Sequence, residues 1–170
     1  MALAVGDEAP NFDLSSTEDV LLMLRDEVVR TAIVLYVCGD AAADGARADL
    51  LALARAAADL ATAHARVLVV SASDVETLKA VQRELHLPYP LLHDDRAFAV
   101  RYDVVAREGA EPSPRVLVVD RGQRVAWLGD VGGSVDDALP AIRETLRKLP
   151  SPSASLPRQV VNRVVDRWVN

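Results

Sequence analysis

Residues 31–50 read TAIVLYVCGDAAADGARADL, and this stretch decides the fold. Thr31 to Cys38 is an unbroken apolar run rich in β-branched residues, the mark of a strand covered on both faces. A loop of small residues follows, Ala41-Ala42-Ala43-Asp44-Gly45-Ala46. From about Asp44 to His64 the pattern turns helical, with Asp44 as the expected N-cap. Leu50, Leu53, Ala54, Ala57, Leu60 and Ala61 recur at helical spacing, while Arg47, Arg55 and Asp59 mark more polar positions. A helix N-terminus favours anions and lowers thiol pKa values, so a turn of this kind often holds a reactive group. This one contains no nucleophile.

Working outward, RVLVVS (Arg66 to Ser71) reads as a second buried strand. Two strands joined by a helix form a parallel, right-handed βαβ unit. SASDVETLKAVQRELHL starts a second helix, with Ser73 as the expected cap and Glu76 completing a capping box. The prolines of LPYPLLHDD stop it, and RAFAVRYDV reads as a short helix. RVLVVD (Arg115 to Asp120), the tight turn DRGQ and RVAWLG predict an antiparallel hairpin. GGSVDDALPAIRETLRKL predicts one helix, capped by Ser134 and kinked at Pro140. Nearer the start, DVLLMLRDE reads as a strand or a short helix. The order β-α-β-α-(α)-β-β-α predicts a thioredoxin-like α/β fold, a central mixed sheet flanked by helices.

The expected organisation is one domain over residues 1–149, a linker over 150–157 (PSPSASLP) and a C-terminal amphipathic helix over 158–170. That last segment places Val161, Val164, Val165 and Trp168 on one face. A helix so short is marginal alone. Two readings stay open: docking on its own domain, or packing on a second subunit in a homodimer.

A net charge of −6, with acids and bases interspersed, argues against nucleic acid and anionic membranes as partners. Cys38 is the one cysteine, so neither an intrachain disulfide nor a cysteine-based zinc site is expected. His64, His86 and His93 form no ligand spacing. No metal or cofactor is expected. MALAVGDEAPNF lacks the pattern of a secretion signal, and no run reaches the length of a membrane span. The cytoplasm is the expected location.

Four pieces, in order, resemble the peroxiredoxin branch of the thioredoxin superfamily, the alkyl hydroperoxide reductase/thiol-specific antioxidant (AhpC/TSA) family. They are VGDEAPNFDL, RVLVVSASDVETLKAVQREL, LPYPLLHDDRAFAVRYDV and PRVLVVDRGQRV. The similarity runs from about Val5 to Leu149. It implies the peroxiredoxin subtype of the fold and a thiol-dependent antioxidant oxidoreductase. In such proteins a strand leads into a P-x-x-x-T-x-x-C turn, whose cysteine thiolate attacks peroxide. Aligning the strand ends puts Gly39, Ala43 and Ala46 at those three chemical positions. Gly45 still matches, and Asp49 stands where many members carry Glu. Pro114 and Arg115 fall near the family's active-site arginine, and Pro114 also resembles the proline that is often cis in thioredoxin-like relatives. The expectation is a cis Ser113–Pro114 bond, with Arg115 a surface charge opening a strand.

Cys38 has two readings. In one it is a displaced redox thiol near the old pocket, resolved by an external thiol donor of thioredoxin type. In the other it is a small hydrophobe inside the sheet, inert because burial raises its pKa. Lesser candidates carry blander readings: Asp94-Asp95 as a loop or cap, Gly132-Gly133-Ser134 as a helix start, Trp127 and Tyr102 as core, and His93 without an obvious partner. Arg47 beside Ala46 would make the pocket cationic. The leading expectation is a degenerate peroxiredoxin-like protein that acts by binding, and the alternative is an atypical single-cysteine thiol peroxidase or reductase using Cys38.

Overall fold

The computed structural model describes residues 3–94 and 113–150. Tyr102, Asp95, the RAFAVRYDV segment, most of the linker and the C-terminal segment lie outside the described residues.

The apolar run becomes β3 (Ala32–Cys38), buried along its whole length. It forms the middle of a five-stranded sheet in the order β5-β4-β3-β6-β7. β4 (Ala65–Ser71) and β5 (Leu91–His93) extend the sheet in parallel on one side. β6 (Arg115–Val119) and β7 (Val125–Asp130) extend it antiparallel on the other. A separate two-stranded ribbon, β1 (Asp13–Ser15) with β2 (Leu21–Met23), leads into the short helix α1 (Leu24–Val28). DVLLMLRDE is therefore both a strand and a helix.

Strand alternation sorts β3 between two apolar layers. Ala32, Val34, Tyr36 and Cys38 join the layer beneath α2 (Asp44–Thr62), α3 (Val75–Leu85) and α4 (Leu139–Lys148). Ile33, Leu35 and Val37 join the opposite layer, covered by Ala9, Phe12 and α1. Leu50 and Leu53 of α2 are fully buried, each worth roughly 1.5–3 kcal/mol of transfer free energy.

Several expected caps move. Ala43 takes the N-cap position of α2 without a side-chain bond, and Asp44 becomes the first helical residue. Asp74, not Ser73, caps α3, accepting from the Thr77 N–H at 2.7 Å. Ser73 is committed elsewhere, accepting from the Ala41 N–H. The helix expected from Gly132 to Leu149 divides. Ser134 caps a 3₁₀ turn (Val135–Asp137), and α4 starts afterwards with Pro140 in its first turn. There proline lacks only an N–H that would have no helical partner, so it starts the helix instead of kinking it.

On the outer strand, Trp127 and Gly129 share one face. A Cβ placed on Gly129 would come within 2.6 Å of Trp127 Cη2. The indole lies over the bare backbone of its second neighbour.

Candidate active site

β3, β4 and β5 deliver their C-terminal ends to the same side of the sheet, where α2 and α3 begin. The loop after β3 is tied down by polar atoms of the loop after β4. The Gly39 carbonyl accepts from Ser71 Oγ at 2.8 Å and from the Ala72 N–H at 2.9 Å. Ser73 Oγ accepts from the Ala41 N–H at 3.1 Å and donates to Asp40 Oδ1 at 3.2 Å. Asp40 Oδ1 also accepts from the Ala42 N–H at 2.9 Å. The small side chains at 41–43 thus belong to a loop ordered from outside.

Cys38 ends β3 and is 4% exposed. Burial pushes its thiol up to about 12; the hydrogen bond with Ser71 pulls the other way, and the negative charges of Asp40 and Asp49 add to the rise. Ala46 lies in the first turn of α2, buried in the same apolar layer. Ala43 is exposed at the N-cap.

Register brings Pro114 and Arg115 to this end. Val37 pairs with Arg115 at the end of the antiparallel β3–β6 ladder, and Cys38 and Pro114 lie just beyond that pair. The Ser113–Pro114 bond is trans, contrary to the cis expectation, for no cis peptide bond occurs among the described residues. The Pro114 carbonyl accepts from the Val131 N–H at 2.9 Å, tying the start of β6 to the residue after β7. Arg115 is not the surface charge expected. Its side chain is only 14% exposed, and Nε donates to Asp130 Oδ1 at 2.9 Å. The two residues are paired neighbours across β6 and β7.

The lesser candidates disperse. Arg47 Nη2 reaches Glu84 Oε2 of α3 at 2.8 Å, so its charge is paired with that helix and does not leave the turn cationic. His93 has a partner that the sequence does not reveal. Nδ1 donates to the Ser73 carbonyl at 2.7 Å, which fixes the tautomer in the neutral ring because a carbonyl only accepts. Asp94 is buried, with its N–H donating to the Ser71 carbonyl. Trp127 packs partly buried against the helical layer. Gly132-Gly133-Ser134 opens the 3₁₀ turn.

Asp49 matters more than its sequence reading suggested. It is 4% exposed and joins three elements. Oδ2 accepts from the Tyr36 hydroxyl of β3 at 2.7 Å, and Oδ1 accepts from the Val135 N–H of the 3₁₀ turn at 2.9 Å. The available signal was its place on the apolar stripe of α2, three residues after Ala46 and next to Leu50. Burial is also the chief reason that the Tyr36 and Tyr89 hydroxyls are pushed above the ordinary tyrosine range. The Tyr89 hydroxyl donates to the Leu50 carbonyl.

A parallel βαβ unit followed by an antiparallel hairpin and a closing helix, with a strand end meeting a helix N-terminus, defines the thioredoxin-like α/β class in its peroxiredoxin form. Within that class the AhpC/TSA family profile matches residues 5–128, and the chain belongs to the AhpC/TSA family. Its fold is similar to that of peroxidoxin BcpB from Mycobacterium tuberculosis, with a TM-score of 0.80 at 20% identity over 88% of this chain and 99% of that one. A cysteine-to-serine mutant of PrxQ from Xylella fastidiosa superposes with a TM-score of 0.77 at 16% identity, covering 85% and 98%. A yeast mitochondrial 1-Cys peroxiredoxin, described as resolved through glutathione/thioredoxin systems, gives 0.69 at 20% identity, covering 83% and 75%. No curated protein matches the chain in sequence.

Proposed function

We propose that this AhpC/TSA-family protein lacks ordinary peroxidase activity and works by binding, with Gly39, Ala43 and Ala46 standing at vestigial catalytic positions and Pro114 and Arg115 beside them. Peroxide reduction needs a thiolate that attacks one peroxide oxygen and releases the other as water or alcohol. The observation that carries the reading is the location of the one cysteine sulfur. Cys38 is inside the sheet with its thiol pushed up to about 12, while the first turn of α2 offers Asp44, Gly45, Ala46 and Arg47, none of them a nucleophile toward peroxide. An alanine methyl neither ionises nor forms a sulfenic acid. The assembly we attach to this reading is a cytoplasmic homodimer.

One observation favours the atypical single-cysteine reading: Cys38 directly follows the Val37–Arg115 pair, at the end of the sheet where α2 begins. Attack by Cys38 would leave a sulfenic acid, and two external thiols would be oxidised to a disulfide in returning it to the thiol. Peroxide consumption with a thioredoxin or dithiol donor separates the two, comparing wild type with Cys38→Ser. We expect no donor-dependent consumption by either. Turnover in the wild type that vanishes in Cys38→Ser would overturn the binding reading.

A further inference from the structure

The opposite end of the sheet carries a feature that the redox reading does not use. A groove of about 630 Å³ opens between α1, the end of α2, the β6–β7 turn and the end of α4. Its apolar surface comes from Val29, Ala32, Ala63, Leu146, Leu149 and Pro150. Val29 is 65% exposed, an uncovered aliphatic group at the mouth of a concave apolar surface. Leu149 and Pro150, which form part of the wall, are also the last described residues. The remaining chain, residues 151–170, therefore starts from the rim of this groove.

We propose that the groove is the docking site of the chain's own C-terminal segment, residues 158–170. Three observations support this occupant. The segment repeats Val161, Val164, Val165 and Trp168 at i, i+3, i+4 and i+7, one apolar face of a helix about 20 Å long. Its attachment point lies at the groove itself. Residues 151–157 extend to roughly 23 Å at most, enough to turn the helix back over Val29. Their composition, SPSASLP, favours an open connection over a continued α4. A helix this short is marginal in water, and burying its valines and Trp168 supplies the stability it lacks alone. The proposal is independent of the redox reading, since no residue of the groove belongs to the Cys38 end.

The test is native-state hydrogen exchange on the full chain at two protein concentrations, with light scattering for mass. We expect amides 161–168 to exchange at least tenfold slower than the unfolded-chain rate, equally at both concentrations. In Val29→Asp that protection should disappear while the β3 amides keep theirs. Should Val29→Asp fail to fold, Trp168→Asp serves from the other side, and Ala63 and Leu149 should then shift in amide NMR spectra. Unprotected amides at 161–168 in the wild type overturn the proposal. So does protection that survives Val29→Asp, or groove resonances that ignore Trp168→Asp. Protection that grows with concentration alongside a doubled mass overturns it in favour of a second copy as occupant.

Discussion

The two ends of the central sheet differ in what their side chains are for. At the end where β3 and β4 finish, the side chains of Ser71, Ser73, Asp40 and Asp49 all bond within the protein. Ser71, Ser73 and Asp40 tie one loop to the other, and Asp49 holds β3, α2 and the 3₁₀ turn together. At the end where β3 begins, a concave apolar surface stands open around Val29. Among the described residues, the end that holds Cys38 is tied together by hydrogen bonds of its own loops. The opposite end is the one with an uncovered apolar surface.

The largest expected effect comes from breaking the closed end at its centre. Asp49→Ala leaves the Tyr36 hydroxyl and the Val135 N–H without their acceptor inside an apolar layer. Stranding buried donors costs about 1–3 kcal/mol each, and bonds to a charged acceptor lie toward the upper part of that range. We expect a loss of about 3 kcal/mol or more in urea unfolding; a loss below about 1 kcal/mol would mean that the clasp is ornamental. Next in size is a pH effect. The folded Cys38 thiol is pushed up to about 12, above the value of about 8.5 usual for a free chain. Its contribution is whole below the unfolded value. It declines as pH rises beyond it, because the unfolded chain ionises first. Between pH 9 and 10 the slope attributable to this group approaches about 1.4 kcal/mol per pH unit. Comparing the stability of wild type and Cys38→Ser across that interval checks it: the variant should show a shallower decline, and parallel curves would place the sulfur nearer solvent. The smallest effect belongs to the open end. Val29→Asp, at a position 65% exposed, should lower global stability by about 1.4 kcal/mol, the value of the tenfold protection lost with the docked segment. A loss above about 3 kcal/mol would show the groove to be part of the core.

How much of this was legible in the sequence depended on length and on partners. The long apolar runs of β3, β4 and β6 declared themselves, since a continuous β-branched stretch has few alternatives. β5, from Leu91 to His93, and the β1–β2 ribbon have three residues per strand, too few to establish a period. Ser73 and Asp74 are both good caps, and what decided between them was the Ala41 amide, 32 residues away in sequence. Pro140 reads as a kink only if the helix starts early. The 3₁₀ turn delays that start, and nothing local announces the delay. At the site, Cys38 and Ala46 were legible by position, but the depth of the sulfur was not. Asp49 was visible as a family position; its two donors come from β3 and from a turn 86 residues further on, a meeting that only the folded chain arranges. Arg115 was misjudged for a related reason, because Asp130 reaches it across the hairpin.

Trp127 and Gly129 have a consequence for how this sequence can drift. The indole covers bare backbone, and a methyl group at 129 would meet the ring at 2.6 Å. Neither position is free to vary by itself: enlarging 129 displaces the ring, and shrinking 127 uncovers a glycine in an outer strand. Over a lineage the pair should change together or hardly at all, so two sites on the sheet's rim behave as a single inherited character.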